Sequence, residues 1–524
     1  MKKIGKSILC ITLMLSLLVG LTACDNKPVE PSKKSNDDIL RVVDSGEWVG
    51  IDGYQLDESA ALQQLVGEPL FEWDDVNNDI VDGVCTDWKV SSDGLTATFT
   101  VPEGMKYSTG QQVEPEDVVA SIQHGLDISP YGDGYMNIES MEVSGRQVIL
   151  HLSSYRSDML YNLCGDFMCI IDKDELDTMT DDQLLWGCHP YGRFYVEEFI
   201  SGSEVKLRRN EGFVTHCPFF ENKGASYIKG IDVIFNVEEF TAIESLKNGE
   251  VDFVCSISID AKDELEKDSR FKVAESSYPE ICYMEINTDK GIFADPNMRL
   301  AFMLLIDREK LCELTDGGAA PAYSIIYDTM QNFSKEAKDY FKANYANDAA
   351  RAIKLIEDAG WVKGADGYYA KDGKVFEVEY SPYSGSQSEM LAEGLQGQMK
   401  QYGIKININA LEWNYVADKA KNDEYDITRE GIGWAEPILV LDILYNDPTA
   451  PDNTDEFYEK VEDIAHTIDT VERTQKVGDL QKEMFDNMDV IPLYSGLTYL
   501  AYNADLKGVH FKTDGTYDIN DLSW

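Results

Sequence analysis

Positive charge is what this chain has least of. Lysine and arginine total 46 against 95 aspartates and glutamates, a formal net charge of −49 at pH 7. Nucleic acid is thereby excluded as a partner, because its affinity for proteins rests on cations that neutralise phosphates. Adsorption to anionic lipid headgroups is disfavoured for the same reason. What remains is either a soluble, self-repelling surface or a field that steers cationic ligands. Histidine is scarce too, six in all, which leaves little imidazole for direct metal binding. Cys188-His189 and His216-Cys217, with Cys164 and Cys169 upstream, offer soft ligands. No pair has C-x₂-C spacing, however, and no H-E-x-x-H is present, so no metal or other cofactor is assigned. Hydrolase signatures are missing as well: no G-x-S-x-G and no persuasive Ser-x-x-Lys set. No catalytic residue is assigned and the chain does not read as an enzyme, although carboxylates are too abundant here for counting to exclude a dyad.

Long apolar runs are absent with one exception. Lys2, Lys3 and Lys6 precede a largely apolar run from Ile8 to Leu21, and Leu21-Thr22-Ala23-Cys24 follows. The run is short for a membrane span but has the length of a signal-peptide core. The ending resembles the lipobox of bacterial lipoproteins, which implies removal of residues 1–23 and a lipid on Cys24. Residues 24–38 hold Pro, Lys, Ser and Asn with almost no large apolar side chain, so they read as a flexible tether. The expected location is extracytoplasmic, anchored to the bacterial cell membrane by that lipid. Eight cysteines follow Cys24. An even number in an exported chain permits disulfides, whereas Phe253-Val254-Cys255 and Ile281-Cys282-Tyr283 have the apolar settings of buried thiols.

The remainder has globular composition, 43% hydrophobic and 11% aromatic over the whole chain, and its length suggests two or three domains. Leu95 to Val101 alternates as a strand after a Ser-Asp-Gly turn, and Val148–Leu152 and Val205–Leu207 read as further strands. Asp295-Pro296 caps a helix that runs through Leu300 to Leu305. Asn347 or Asp348 caps another, which Gly360 ends, and Thr470 to Met488 is amphipathic. Helices and strands alternate without barrel regularity, which predicts an α/β protein built of lobes.

Strung together, these stretches resemble one family. G-E-P-L-F-E-W-D at Gly67–Asp74, V-C-T-D-W-K-V-S-S-D-G-L-T at Val84–Thr96 and G-M-K-Y-S-T-G at Gly104–Gly110 begin the series. H-P-Y-G-R-F-Y-V at His189, S-L-K-N-G-E-V-D-F at Ser245 and Y-M-E-I-N-T at Tyr283 continue it. M-R-L-A-F-M-L-L-I-D-R-E at Met298, A-I-K-L-I-E-D-A-G-W at Ala352, Y-D-I-T-R-E-G-I-G-W at Tyr425 and I-P-L-Y at Ile491 complete it. The order is that of the extracytoplasmic solute-binding proteins of peptide/nickel ABC importers.

That resemblance implies a two-lobed, periplasmic-binding-protein-like α/β fold with an extra inserted subdomain. Lobe I would take residues 39–66, 170–281 and 490–524, with the insertion at 67–169, and lobe II residues 282–489. The chain would cross between lobes near Tyr278–Ile286 and near Val490–Tyr494, with solute held between them. The family's oligopeptide binders imply Tyr131, Tyr278, Trp413, Arg429, Trp434 and Tyr494 as ligand-binding residues. The plain alternative for each aromatic is core packing, and for Arg429 a solvated surface. Where the family carries an aspartate for the peptide's ammonium, this chain has Pro437. Glu436 beside it either replaces that carboxylate or is solvated. The implied partners are a peptide, an ABC permease and its cytoplasmic ATPase subunits, with the chain a monomer. A chelated nickel or other metal, haem or an oligosaccharide on the same fold, or a peptide-sensing role, are the alternatives.

Overall fold

The computed structural model describes residues 34–524 except 45, 57–61, 75–78, 130–136, 166–167, 276–279, 423, 434–435, 447–454, 489, 512–516 and 520. The leader, Cys24, and site candidates Tyr131, Tyr278 and Trp434 lie outside the described residues.

In chain order, β1 (Leu40–Val43) is followed by a segment with β2 (Thr86–Val90), β3 (Thr96–Thr100), helix α1 (Pro115–Ile128), β4 (Ile138–Ser144) and β5 (Gln147–Leu152). A short helix α2 (Asp158–Asn162) closes that segment. The chain then lays down β6 (Phe194–Ile200), β7 (Glu204–Arg209), β8 (Gly230–Ile234), β9 (Phe253–Ile257) and β10 (Phe271–Glu275). The second half contains β11 (Glu280–Ile286), α3 (Pro296–Leu304), β12 (Ala319–Pro321), α4 (Ala349–Asp358), β13 (Glu377–Ser381) and β14 (Lys405–Ile408). It ends with α5 (Trp413–Lys421), β15 (Ile427–Gly433), α6 (Pro437–Asn446), α7 (Asp455–Ala465), α8 (Thr470–Asn487), β16 (Val490–Gly496) and β17 (Tyr499–Asn503).

These strands sort into two large sheets. One runs β10-β17-β9-β1-β8-β7-β6, the other β12-β16-β11-β15-β13-β14, and the early segment forms a four-stranded sheet β2-β3-β5-β4. In the first sheet β1 lies parallel to both β8 and β9, so their carboxyl ends share one edge. Each large sheet has its own apolar core. One cluster gathers Leu40, Phe99, Leu150, Ile170, Val233 and Leu500; the other gathers Met284, Phe302, Leu395, Ile427, Phe485 and Ile491. A third, smaller cluster with Val43, Leu246, Val254 and Ala501 also lies with the first sheet; cores divided between two sheets make two lobes.

Local chemistry explains the helix ends. The Asp295 side chain accepts the Asn297 N–H with Pro296 at the first helical position, and Asp348 accepts the Arg351 N–H. Gly360 ends α4 with φ +87°, a conformation costly to any residue with a Cβ. The buried faces of β3 and β5 alternate as the sequence predicts.

One expected boundary moves. Val490–Gly496 was assigned to lobe I, but β16 pairs antiparallel with β11 and β12 of the second sheet. Backbone pairing holds this strand in lobe II until Gly496, and only β17 returns to the first sheet. The two strands that cross therefore run side by side: β10 pairs with β17 on one side, β11 with β16 on the other.

The apolar stretch Ala435–Leu444 is also explained. It opens α6, whose Ile438, Val440, Leu441 and Leu444 are buried in the lobe II core.

Candidate ligand site

At the end of the second sheet nearest the crossing, sequence alternation brings three residues to one face. Cys282 stands opposite Tyr494 across β11 and β16, and Arg429 on β15 stands opposite Met284, one pleat along. The Arg429 guanidinium carbon lies 5.4 Å from the Tyr494 ring centre and 4.8 Å from that of Tyr383. Such cation–π contact holds a guanidinium flat between two rings. Its Nη2 donates to the Cys282 Sγ.

The Arg429 Nε–H is buried and has no acceptor among the described residues, although the Glu280 carboxylate acts on the guanidinium from nearby. Burial pulls the guanidinium down, yet Cys282, Tyr494, Tyr380 and Glu280 hold it above its ordinary value. It stays charged. Burial pushes the Cys282 thiol up to about 11 against the pull of Arg429, and burial also raises the Tyr494 phenol. Both neighbours are therefore neutral at physiological pH. A half-buried cation with a buried, unspent Nε–H, flanked by neutral rings, is suited to a carboxylate.

Of the other expected site residues, Trp413 is the first residue of α5. Glu436 is fully buried, so the solvated alternative is excluded. Its Oε2 accepts the Leu439 N–H at 2.8 Å and its Oε1 accepts the Gln331 Nε2 at 3.0 Å. The residue thus caps α6, ahead of Pro437 at the first helical position. Burial, and then the Asp158 carboxylate, push Glu436 up to about 8 against the Leu439 and Ile438 N–H groups and Arg473.

Sequence reasoning missed Cys282 and Tyr383 as neighbours of Arg429. Cys282 was legible as a buried thiol, but only strand register brings it to the guanidinium; Tyr383 carries no sequence signal. Cys85, Cys188, Cys282 and Cys312 are buried free thiols. Among the described residues no cluster of three or more His, Cys, Asp or Glu forms a metal site, and no helix is long and apolar enough to cross a membrane. In lobe I an open hollow of about 640 Å³ lies at the carboxyl ends of β8, β1 and β9, lined by Val43, Asn236, Val254, Ser256 and Ser258. Open α/β sheets commonly take ligands at that edge.

Two lobes joined by a double crossing, each with a hollow or charged site at a sheet end, define a binding protein of the periplasmic type. The sequence pattern of the bacterial extracellular solute-binding proteins, family 5, matches residues 79–447, and the chain belongs to that family. It is 22% identical over 469 residues to the oligopeptide-binding protein AppA of Bacillus subtilis, covering 83% of this chain and 82% of that one. The fold is similar to that of the ABC transporter substrate-binding protein CtaP of Listeria monocytogenes, with a TM-score of 0.77 at 20% identity over 93% of this chain and 99% of that one. It is also similar to NikZ of Campylobacter jejuni in complex with Ni(L-His), with a TM-score of 0.72 at 19% identity over 94% and 100% of the two chains.

Proposed function

We propose that this chain is the solute-capturing component of an ABC importer, taking peptides between its lobes and passing them to a membrane permease. The observation that carries the reading is Arg429, a half-buried cation whose buried Nε–H has no acceptor among the described residues, at the crossing end of the second sheet. A transporter of varied peptides must hold what they share, and the terminal carboxylate is common to all of them. Tyr494 and Tyr383 supply apolar area beside it at low entropy cost; Trp413, Trp434, Tyr131 and Tyr278 are the further ligand contacts that the family resemblance implies. With Glu436 engaged as a cap, recognition centres on the carboxyl end and not on the ammonium. The protein works as a monomer held outside the cell by lipid on Cys24 and leaves its solute chemically intact.

Arg429 favours one other class, a metal chelate bearing carboxylates, as suggested by the Ni(L-His) complex of NikZ. Native mass spectrometry of the purified chain, followed by denaturing release, decides between them. A family of co-purifying peptide masses is expected; a single metal-chelate mass would overturn the peptide reading and keep Arg429.

A further inference from the structure

The lobes also meet away from the crossing, through side chains. The segment Tyr155–Asp158, between β5 and α2, belongs to the core of lobe I through Tyr155 and Met159. It reaches residues 462–466 of lobe II, whose Ile464 and Ala465 belong to the other core. The Ser157 N–H donates to the Ala465 carbonyl at 2.8 Å, and His466 Nδ1 lies 2.5 Å from the Tyr155 carbonyl, to which it donates. Arg156 binds Asp158 of its own lobe at 3.0 Å and Glu462 of the other at 2.6 Å. Next to this clasp α2 packs on α6, so that Asp158 faces the buried Glu436.

We propose that Tyr155–Asp158 is a latch that holds the cleft shut, and that it holds best when Glu436 is protonated. The reasoning rests on the capture reading above. The groups around Glu436 are Asp158 from α2, Arg473 from α8, Gln331 from the loop before Ser334, and the N–H groups of its own helix. Glu462 and His466, on and just after α7, and Asp442 on α6 complete the charged surroundings, with Arg156 between them. Two carboxylates face each other with burial against them, and Arg156 is already committed to Asp158 and Glu462. One ionised carboxylate is tolerable there; two repel.

The sign follows from linkage. With the latch closed Glu436 sits at about 8, and opening takes away the Asp158 carboxylate and so lowers it. The closed form binds the proton more tightly. Its advantage is complete below the open-state value, fades as pH rises through about 8 and is constant above. Acid conditions favour closure, and mildly alkaline conditions favour release.

The test uses the full mature chain without solute, labelled through Ser92→Cys and Gln475→Cys, with the inter-label distance read by pulsed electron resonance. Ser92 in lobe I and Gln475 in lobe II are both exposed. From pH 5 to pH 8.5 the closed-to-open ratio is expected to fall by about tenfold or more. Glu436→Gln keeps a capping oxygen and should flatten that dependence with closure retained at pH 8.5. Arg156→Ala should open the lobes at every pH, with thermal unfolding showing that each variant remains folded. A pH response unchanged in Glu436→Gln, or no response in the unsubstituted chain, overturns the proposal. A tryptic digest of casein that shortens the distance while pH does not would sink the latch and leave capture standing.

Discussion

The two lobes are joined in two different materials. At the crossing the joint is backbone: β10 and β17 pair in one sheet, and their continuations β11 and β16 pair in the other. At the clasp it is side chains and a few peptide groups, Arg156, Asp158, Glu462, His466 and the Ser157 N–H. A covalent, doubly stranded crossing cannot dissociate and only bends. Side-chain contacts carry no chain connectivity and can be broken and remade without unfolding either lobe. A capture protein needs one of each: a permanent pivot, and a contact made and broken with each cycle.

Substitutions separate the two. Ile491 on β16 is fully buried in the lobe II core, so Ile491→Ala should cost about 2–5 kcal/mol and lower the thermal unfolding temperature. A loss below about 1 kcal/mol would mean that the crossing strand is not held by that core. Next comes the site. Arg429→Ala should weaken solute binding by roughly ten- to a hundredfold, the worth of a charge-assisted hydrogen bond, with unfolding little changed; unaltered affinity in calorimetry would remove Arg429 from the site. Capping makes a smaller, purely local change: Asp348→Ala should destabilise lobe II by about 1 kcal/mol without touching affinity. The clasp differs in what it moves. Arg156→Ala takes the cation from the buried Asp158 and should change the lobe separation most, whereas Ile491→Ala should leave that separation unaltered.

Much of the fold was legible in the sequence for identifiable reasons. The strand at Thr96–Thr100 and the helices after Asp295 and Asp348 are set by local alternation and caps, and local signals survive tertiary packing. The boundary at Val490 was misread because a strand's partner is a long-range property: nothing in I-P-L-Y says that it pairs with Glu280–Ile286 and not with the first sheet. At the site, Arg429 and Tyr494 were singled out from family resemblance, and the structure brings these two together. Cys282 joins them through register alone. For Glu436 the sequence leaves two readings, a replacement for the family's aspartate or a solvated carboxylate; Pro437 is also a helix start, and a residue just ahead of such a proline is placed to cap.

Small-angle scattering on the mature chain at pH 8.5, where the latch is open, tests capture by closure most directly. The chain would be stripped of solute under denaturing conditions, refolded, and titrated with the material eluted from it. Contraction of the radius of gyration that saturates with binding, and its loss in Arg429→Ala, is the predicted result. A radius unchanged at full occupancy would contradict the account, because a solute bound without bringing the lobes together needs neither the crossing nor the clasp.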